Sequence, residues 1–161
     1  MALAVHASGR YLVRDGSPFF LHGDTCWSIV GQLTNAEIDD YLDDRQAKGF
    51  NAILLSAPEA YYTSQTPSYN NVDGVAPFTS MGPADWASPN NTYWNRVDYV
   101  VDGALARGMV CIINPAYWGY NLSDGWGTDV TGASDADLQD YGAFLANRYD
   151  QGNVIWCMGG D

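Results

Sequence analysis

Several features that would direct the chain to a membrane or a nucleic acid are missing from the sequence. No apolar run approaches the roughly 20 residues that a bilayer-spanning helix needs. Lys and Arg number only 7 against 19 Asp and Glu, which gives a formal net charge of -12. Because this excess repels phosphate groups, we expect neither nucleic acid nor an anionic membrane surface as a partner. The opening residues also lack the basic and apolar segments of a signal peptide.

The sequence is equally poor in the groups that hold metals, disulfides or cofactors. The two histidines, His6 and His22, have no suitably spaced partner, so no catalytic metal is expected. The odd number of cysteines, Cys26, Cys111 and Cys157, argues against a full disulfide framework and predicts free thiols, although one bridge stays open. There is no G-x-S-x-G motif and no glycine-rich phosphate loop after the first predicted strand. We therefore expect no cofactor.

Aromatic residues, by contrast, are abundant, with 6 Trp and 11 Tyr. Several stand in polar, glycine- and asparagine-rich segments outside any regular periodicity: Tyr61, Tyr62, Tyr69, Trp86, Trp118, Tyr120 and Trp126. Exposed rings with polar neighbours suit sugar binding, because the apolar face of a sugar ring stacks on them. The alternative is that long loops need small aromatic cores of their own. The sequence alone favours neither interpretation.

The order of predicted elements is a β-hairpin followed by alternating helices and strands. Turn residues 14–17 join the two arms of the hairpin, and its second arm runs on to Thr25. Thr34 and Glu37 form a capping box that starts the first helix. Predicted helices cover 34–48, 92–107 and 134–149, and predicted strands cover 50–56, 109–114 and 153–158. This alternation indicates an α/β fold with a parallel sheet.

Two parallel architectures fit this order, an open doubly wound sheet and a (β/α)8 TIM barrel. The barrel is favoured because long loops follow the strands, at 57–90 and 115–132, whereas short glycine turns follow the helices. A whole barrel needs about 250 residues. We therefore expect residues 1–161 to be the N-terminal part of one catalytic domain, about four strands preceded by the hairpin. The missing C-terminal half of the barrel would be its partner, since half a barrel exposes a sheet edge and apolar helix faces.

Four local motifs, in order along nearly the whole chain, carry a family resemblance. They lie at Gly9–Phe20, at Gly23-Asp24-Thr25-Cys26-Trp27, at Tyr41–Asn51 and at Asn153–Asp161. In these motifs the chain resembles the apiosidase-like glycoside hydrolases of family 140. The resemblance implies a retaining glycosidase on a (β/α)8 barrel that acts on side chains of plant cell-wall polysaccharides. A secreted or periplasmic location is then favoured.

The resemblance also implies roles for particular residues. Asp161, after the fourth strand, would be the general acid/base, and the nucleophile would be a carboxylate from a later strand outside this chain. The expected substrate contacts, taken from the resemblance and from the polar and aromatic residues beside the strands, are His22, Asp24, Trp27, Asn51, Tyr61, Tyr62, Asn114 and Trp118. The chain itself is expected to be inactive, because glycoside hydrolysis needs two carboxylates.

Each of these residues also has a purely structural interpretation. Asp161 can be a loop or capping residue, and Asp24 can cap the turn before Trp27. Asn51 and Asn114 can satisfy loop backbone groups. Two other functions are kept beside the glycosidase: a non-catalytic carbohydrate-binding domain, favoured by the same aromatic loops, and a small flavodoxin-like domain, disfavoured by the absent phosphate loop.

Overall fold

Two separate sheets organise the chain in the computed structural model, which describes residues 3–59, 62–81, 84–149 and 152–158. The first sheet is antiparallel, with strand order β1 (Leu3–Val5), β2 (Leu12–Arg14) and β3 (Ser17–Phe19). Arg14 pairs with Ser17 across a two-residue turn in which Asp15 and Gly16 have φ of 49° and 81°. Positive φ at both positions is the geometry that a tight hairpin requires. The predicted hairpin is therefore confirmed, with β1 as an unpredicted third strand.

The second sheet is parallel and holds β4 (Gly23–Thr25), β5 (Ala52–Ser56), β6 (Val110–Asn114) and β7 (Val154–Trp156) side by side in chain order. The second hairpin arm does not run on to Thr25 as predicted. It ends at Phe19, and the exposed Phe20 marks the point where the chain leaves the first sheet. The next residues pair with β5 instead, because the apolar side chains of β5 are the ones that need cover.

Helices cover one face of the parallel sheet. The long ones are α2 (Asn35–Ala47), α3 (Asn91–Ala106) and α5 (Asp135–Arg148), joined by the short α1 (Ile29–Gln32) and α4 (Gly127–Gly132). All three predicted helices are confirmed to within a residue or two. Both bonds of the capping box are present at the start of α2, where Thr34 accepts from the Glu37 N–H and Glu37 accepts from the Thr34 N–H. The short helices were not predicted, since one or two turns carry no periodic signal.

The two faces of the parallel sheet have different environments. Asp24, Ile53 and Cys111 are neighbours across β4, β5 and β6, and both Asp24 and Cys111 contact the helices. Because side chains alternate along a strand, Thr25, Leu54 and Ile112 lie on the opposite face. Thr25 is exposed there, and Leu54 and Ile112 are only half-buried. This open face corresponds to the interior of a barrel.

Buried aromatic rings form a core beneath the two long loops. Trp86 and Trp126 are 1% and 0% exposed, and their ring centroids lie 5.7 Å apart. Phe78 and Tyr141 complete the cluster, with Phe78 4.8 Å and Tyr141 5.0 Å from the Trp86 ring. The Trp126 indole N–H donates to the Glu59 carbonyl at 2.9 Å. For Trp86 and Trp126, the loop-core interpretation is therefore correct and sugar contact is excluded.

The three cysteines are free thiols, as the sequence predicted, although only Cys111 is fully buried. Within the described ranges, no helix is long and apolar enough to cross a membrane. The same residues contain no group of three or more His, Cys, Asp or Glu side chains placed to hold a metal ion.

The buried position of Trp126 predicts a large stability effect. Trp126→Ala removes a fully buried ring and its hydrogen bond, so the free energy of unfolding should fall by about 3–5 kcal/mol. Tyr120→Ala is a matched control in the same loop, because Tyr120 is 73% exposed, and should change stability by less than about 0.5 kcal/mol. Urea denaturation followed by circular dichroism measures both, and equal effects would contradict the core assignment.

Candidate active site

The parallel sheet presents the C-terminal ends of its strands at one edge, here called the upper edge. Backbone pairing continues past the strands, since the Cys26 N–H donates to Leu54 O at 2.8 Å and the Ala57 N–H donates to Asn114 O at 2.9 Å. Segments 26–28, 57–90 and 115–126 therefore start from the same edge. Active sites of α/β barrels lie at this edge, because the loops after the strands meet there.

Three rings from three different segments meet above the upper edge. Trp27 follows β4, Tyr62 lies in the segment after β5, and Tyr117 lies after β6. The Tyr117 ring centroid is 6.0 Å from Trp27 and 5.7 Å from Tyr62, with interplanar angles of 65° in both pairs. Tyr62 is 49% exposed, and the other two are half-buried. This aromatic trio is accessible, unlike the aromatic core beneath the loops.

Asp124 brings a carboxylate to the aromatic trio. The Tyr62 hydroxyl donates to Asp124 Oδ2 at 2.8 Å, and the Gly125 N–H donates to Asp124 Oδ1 at 2.8 Å. Burial, and then the hydrogen bond to Asp124, raise the pKa of the Tyr62 phenol above its ordinary value. The phenol therefore stays protonated at neutral pH and keeps its role as donor. Asp124 itself is exposed, so its carboxylate is available to a ligand.

Glycines fix the loop that carries Asp124. A Cβ added to Gly125 would lie 2.5 Å from Tyr117 O, and one added to Gly119 would lie 2.3 Å from the Asp124 Cβ. Both glycines also have positive φ, 51° and 65° respectively, which side-chain-bearing residues rarely adopt. The Trp126 N–H closes the loop by donating to Tyr117 O at 2.7 Å. Asp124 is thus held against Tyr117 by a loop that tolerates no side chain at these two positions.

Glu59 supports the trio from below, and sequence reasoning missed it. It is 1% exposed, and its Oε1 accepts from the Tyr62 N–H at 3.2 Å. Its own N–H donates to the Tyr93 hydroxyl at 2.8 Å, and its carbonyl accepts from Trp126. A buried carboxylate needs a hydrogen-bond donor such as the Tyr62 N–H. The Tyr62 contact is local, whereas the bonds of the Glu59 backbone join it to residues 34 and 67 positions away, so no sequence pattern distinguishes Glu59 from a solvated acid.

Asn114, one of the predicted substrate residues, lies within a strand at the upper edge. It is the last residue of β6, in register with Ser56 at the end of β5, and both are buried on the open face of the sheet. Trp27 and Tyr62 also lie at this edge, in the trio. Tyr61 and Asp161 fall outside the described residues.

Asp24 does not lie in the predicted sugar site, because its carboxylate faces the helices. Arg45 donates to Asp24 Oδ2 at 2.7 Å, Tyr41 donates to the same oxygen at 3.1 Å, and the Thr25 N–H donates to Oδ1 at 2.9 Å. Burial acts to raise the pKa of Asp24, but the bonds from Arg45 and Tyr41 outweigh it and the pKa is lowered. The guanidinium also stacks over the Tyr41 and Phe50 rings. Asp24 therefore anchors α2 to the sheet.

His22 and Asn51 are also misplaced by the sequence interpretation, because they precede their strands instead of following them. They lie at the lower edge of the sheet, where Asn51 Oδ1 accepts from the His22 N–H at 2.8 Å and Asn51 Nδ2 donates to Phe20 O at 2.8 Å. The His22 ring stacks on Phe50, with centroids 4.4 Å apart. Both residues satisfy backbone groups and fix the entrance to the sheet, on the side opposite the aromatic trio.

Trp118 lines a separate cavity of about 420 Å³. The other walls come mainly from α5 and β7 and include Leu138, Leu145, Trp156 and Met158. These walls are almost entirely apolar. Sugar sites need several convergent polar groups as well as an apolar surface, so we do not assign this cavity to a sugar.

The charges of the segments after the strands are all of one sign. Segments 26–33, 57–90, 115–134 and 157–161 contain no Lys or Arg and six acids, which are Glu59, Asp73, Asp85, Asp124, Asp129 and Asp161. The seven cations all lie in the described part of the chain and belong to the helices, the glycine turns that follow them, or the hairpin region: Arg10, Arg14, Arg45, Lys48, Arg96, Arg107 and Arg148. The segments that build the upper edge therefore carry no positive charge to bind an anion.

The role of Asp24 as an anchor predicts a specific pH dependence of stability. Asp24→Asn should lower the free energy of unfolding at pH 7 by about 1 kcal/mol. This is the contribution of a hydrogen bond to a charged group, reduced because Asp24 is partly exposed to solvent. Because the folded pKa lies below the unfolded value of 3.8, this contribution is complete above about pH 4 and is lost as pH falls through the folded pKa. Urea titrations at pH 7 and pH 3 measure the change. The exposed Asp40→Asn on α2, the helix that Asp24 anchors, is the control. A difference between Asp24→Asn and wild type that is as large at pH 3 as at pH 7 would contradict the assignment.

Comparison with solved structures finds glycoside hydrolases. A glycoside hydrolase family 5 protein from Bacteroides vulgatus aligns with 25% identity and a TM-score of 0.74, over 99% of this chain and 33% of that one. A second glycoside hydrolase aligns with 27% identity and a TM-score of 0.75, over 99% and 34%. An endo-1,4-beta-mannanase from Rhizomucor miehei, 11% identical with a TM-score of 0.63 over 100% and 48%, shows the fold alone. The chain thus spans about a third of the first two structures.

These neighbours are TIM barrels, which confirms the predicted barrel over the open doubly wound sheet. No curated protein matches the chain. The family model for the apiosidase-like catalytic domain matches residues 6–161. The chain therefore belongs to the apiosidase-like catalytic domain family, as the sequence motifs indicated.

Proposed function

We propose that the chain forms the N-terminal part of the catalytic barrel of a retaining, apiosidase-like glycoside hydrolase that acts on side chains of plant cell-wall polysaccharides. Family membership supports the reaction class. The observation that carries the proposal is the course of the chain after β7. The Cys157 N–H donates to Ile113 O at 2.9 Å, so the parallel pairing continues beyond the strand and the chain leaves β7 at the upper edge.

Asp161, four residues after Cys157, is the general acid/base in this proposal. In the first step a carboxylate from outside this chain attacks the anomeric carbon, and the glycosidic bond breaks as Asp161 gives its proton to the leaving oxygen. In the second step water attacks the glycosyl–enzyme ester, Asp161 takes the proton of the water, and the nucleophile leaves as a carboxylate. Both residues return to their starting protonation states.

The acidity of the surrounding segments supports the proton-donating role. A general acid must keep its proton at the working pH, and neighbouring negative charges favour the protonated form of a carboxyl group. The segments after the strands supply five acids besides Asp161 and no cation. The aromatic trio and Asn114 would bind the substrate beside the reacting bond, with Tyr61 as a further contact proposed from the sequence.

The proposal predicts that Asp161→Asn abolishes most turnover in the enzyme that contains this chain. Loss of general acid/base catalysis should reduce kcat by about a hundredfold to ten-thousandfold on a natural oligosaccharide. An aryl glycoside with a good leaving group needs no proton, so added azide should restore much of its turnover in this variant. Asp40→Asn, a change on the exposed face of α2, serves as the control.

Full turnover in Asp161→Asn would contradict the assignment of the acid. Nuclear magnetic resonance of the first-formed product tests the retaining mechanism, because an inverted anomer would require two carboxylates about 6.5–9.5 Å apart with no covalent intermediate. The 161-residue chain by itself should show no turnover, since it supplies only one of the two carboxylates. Sugar binding without turnover by the whole enzyme would instead support a carbohydrate-binding domain.

A further inference from the structure

We propose that Trp27, Tyr62, Tyr117 and Asp124 form a subsite for an uncharged sugar residue, in which Asp124 accepts hydroxyl groups and excludes uronic acids. This inference rests on the proposed function, which makes the ligand a carbohydrate, and it adds two residues that sequence reasoning did not assign to substrate.

The rings of the aromatic trio offer an apolar surface to a ligand. Trp27 and Tyr62 both contact the Tyr117 ring, so rings from three different segments form one wall of the site. The core rings of Trp86 and Trp126, in the same two long segments, are almost completely buried, whereas Tyr62 is half exposed. Tyr62 therefore stays partly exposed in a region whose buried core is already formed by other rings. An apolar sugar face is a suitable cover for such a wall.

A hydrogen-bonding group is fixed beside this wall. Asp124 holds the Tyr62 hydroxyl at 2.8 Å and the Gly125 N–H at 2.8 Å, one with each carboxylate oxygen. Each oxygen of a carboxylate accepts about two hydrogen bonds, so both keep one position for a donor. Asp124 is exposed, and its loop is locked by Gly119 and Gly125. A pair of sugar hydroxyls can therefore donate to Asp124 while the ring lies on the trio.

Hydrogen bonds from several residues hold Tyr62 in position within the subsite. The Tyr62 hydroxyl is held by Asp124, and its backbone N–H is held by the buried Glu59 at 3.2 Å. Gln32 Nε2, at the end of α1, donates to Tyr62 O at 3.4 Å. Contacts from three separate segments fix Tyr62, so the wall is largely formed before a sugar binds. Preorganised walls favour affinity because less freedom is lost on binding.

The charges of these segments favour an uncharged ligand. Asp124 is an exposed acid, and the segments after the strands contain no Lys or Arg. Arg96, in the first half of α3, is buried and already bonded to Val30 O, Asn35 and Asp73. A uronate carboxylate bound here would meet a like charge, and these segments supply no cation to compensate it, which is unfavourable at short range. An uncharged sugar meets no such penalty.

Binding measurements in the Asp161→Asn background, where the ligand is not consumed, test the proposal. The matched pair of probes is tetragalacturonate and its carboxyl-reduced product, which differ only at C6, where a carboxylate is replaced by a CH2OH group; xylotetraose and mannotetraose are further uncharged probes. Titration calorimetry at low ionic strength, where charges are least screened, should give tighter binding of the reduced tetramer than of tetragalacturonate. Asp124→Asn should narrow this difference.

Four variants separate the parts of the subsite. Tyr62→Ala and Trp27→Ala should weaken binding of the best uncharged probe by about tenfold or more. Tyr62→Phe keeps the ring and loses only the hydroxyl with its bonds to Asp124 and Tyr117, so its effect should be smaller. Tyr120→Ala changes an exposed aromatic residue of the same loop outside the trio, and it should leave affinity unchanged.

Equal or tighter binding of tetragalacturonate, absence of binding by every uncharged probe, or unchanged affinity in Tyr62→Ala would each overturn the subsite. Asp161→Asn assays of turnover are independent of these titrations. Loss of turnover in Asp161→Asn with a failed binding test would leave the proposed function intact and remove only the subsite. Full turnover in Asp161→Asn together with the expected binding results would support the subsite and contradict the acid/base assignment.

Discussion

Everything at the candidate site depends on the backbone pairing of four short parallel strands. The register joins Thr25, Leu54, Ile112 and Ile155 in one row across the sheet. The pairing continues for a further residue after β4, β5 and β7, where Cys26, Ala57 and Cys157 donate to neighbouring carbonyls. Backbone bonds of this kind do not depend on side-chain identity. Loops of very different sequence therefore begin from the same line, and their side chains can act on a common ligand.

Hydrogen bonds to Glu59 connect the buried aromatic core to the exposed trio. Trp126 donates to the Glu59 carbonyl, and the Glu59 side chain accepts from the Tyr62 backbone. Rings that are fixed by close packing beneath the loops thus set the position of a ring above them. Aromatic residues have two roles here, and their neighbours make the difference. Trp126 is buried among Phe78, Trp86 and Tyr69, whereas Tyr62 contacts the Tyr117 ring and stays 49% exposed.

Local signals in the sequence predicted most of the fold but little of the site. Thr34 and Glu37 define the start of α2 because both capping bonds form within four residues, and Asp15-Gly16 defines its turn for a similar reason. Asn51 was assigned to the site although it stands near the start of the predicted strand 50–56; it precedes β5 (Ala52–Ser56) and therefore lies at the lower edge. Asp24 was assigned to the wrong face because a three-residue strand shows no alternation to read. The bond between Tyr62 and Asp124 spans 62 residues, and no local pattern encodes it.

The loop from Gly119 to Trp126 separates positions that can vary from positions that cannot. A side chain at Gly119 or Gly125 would collide with Asp124 or with the Tyr117 backbone. Tyr120 and Ser123 are exposed, and Asn121 already has the left-handed φ of 67° that asparagine tolerates. Substitutions at Tyr120 and Ser123 can therefore change the groups exposed at the rim of the site, whereas Gly119 and Gly125 must be kept because their backbone holds Asp124 in place.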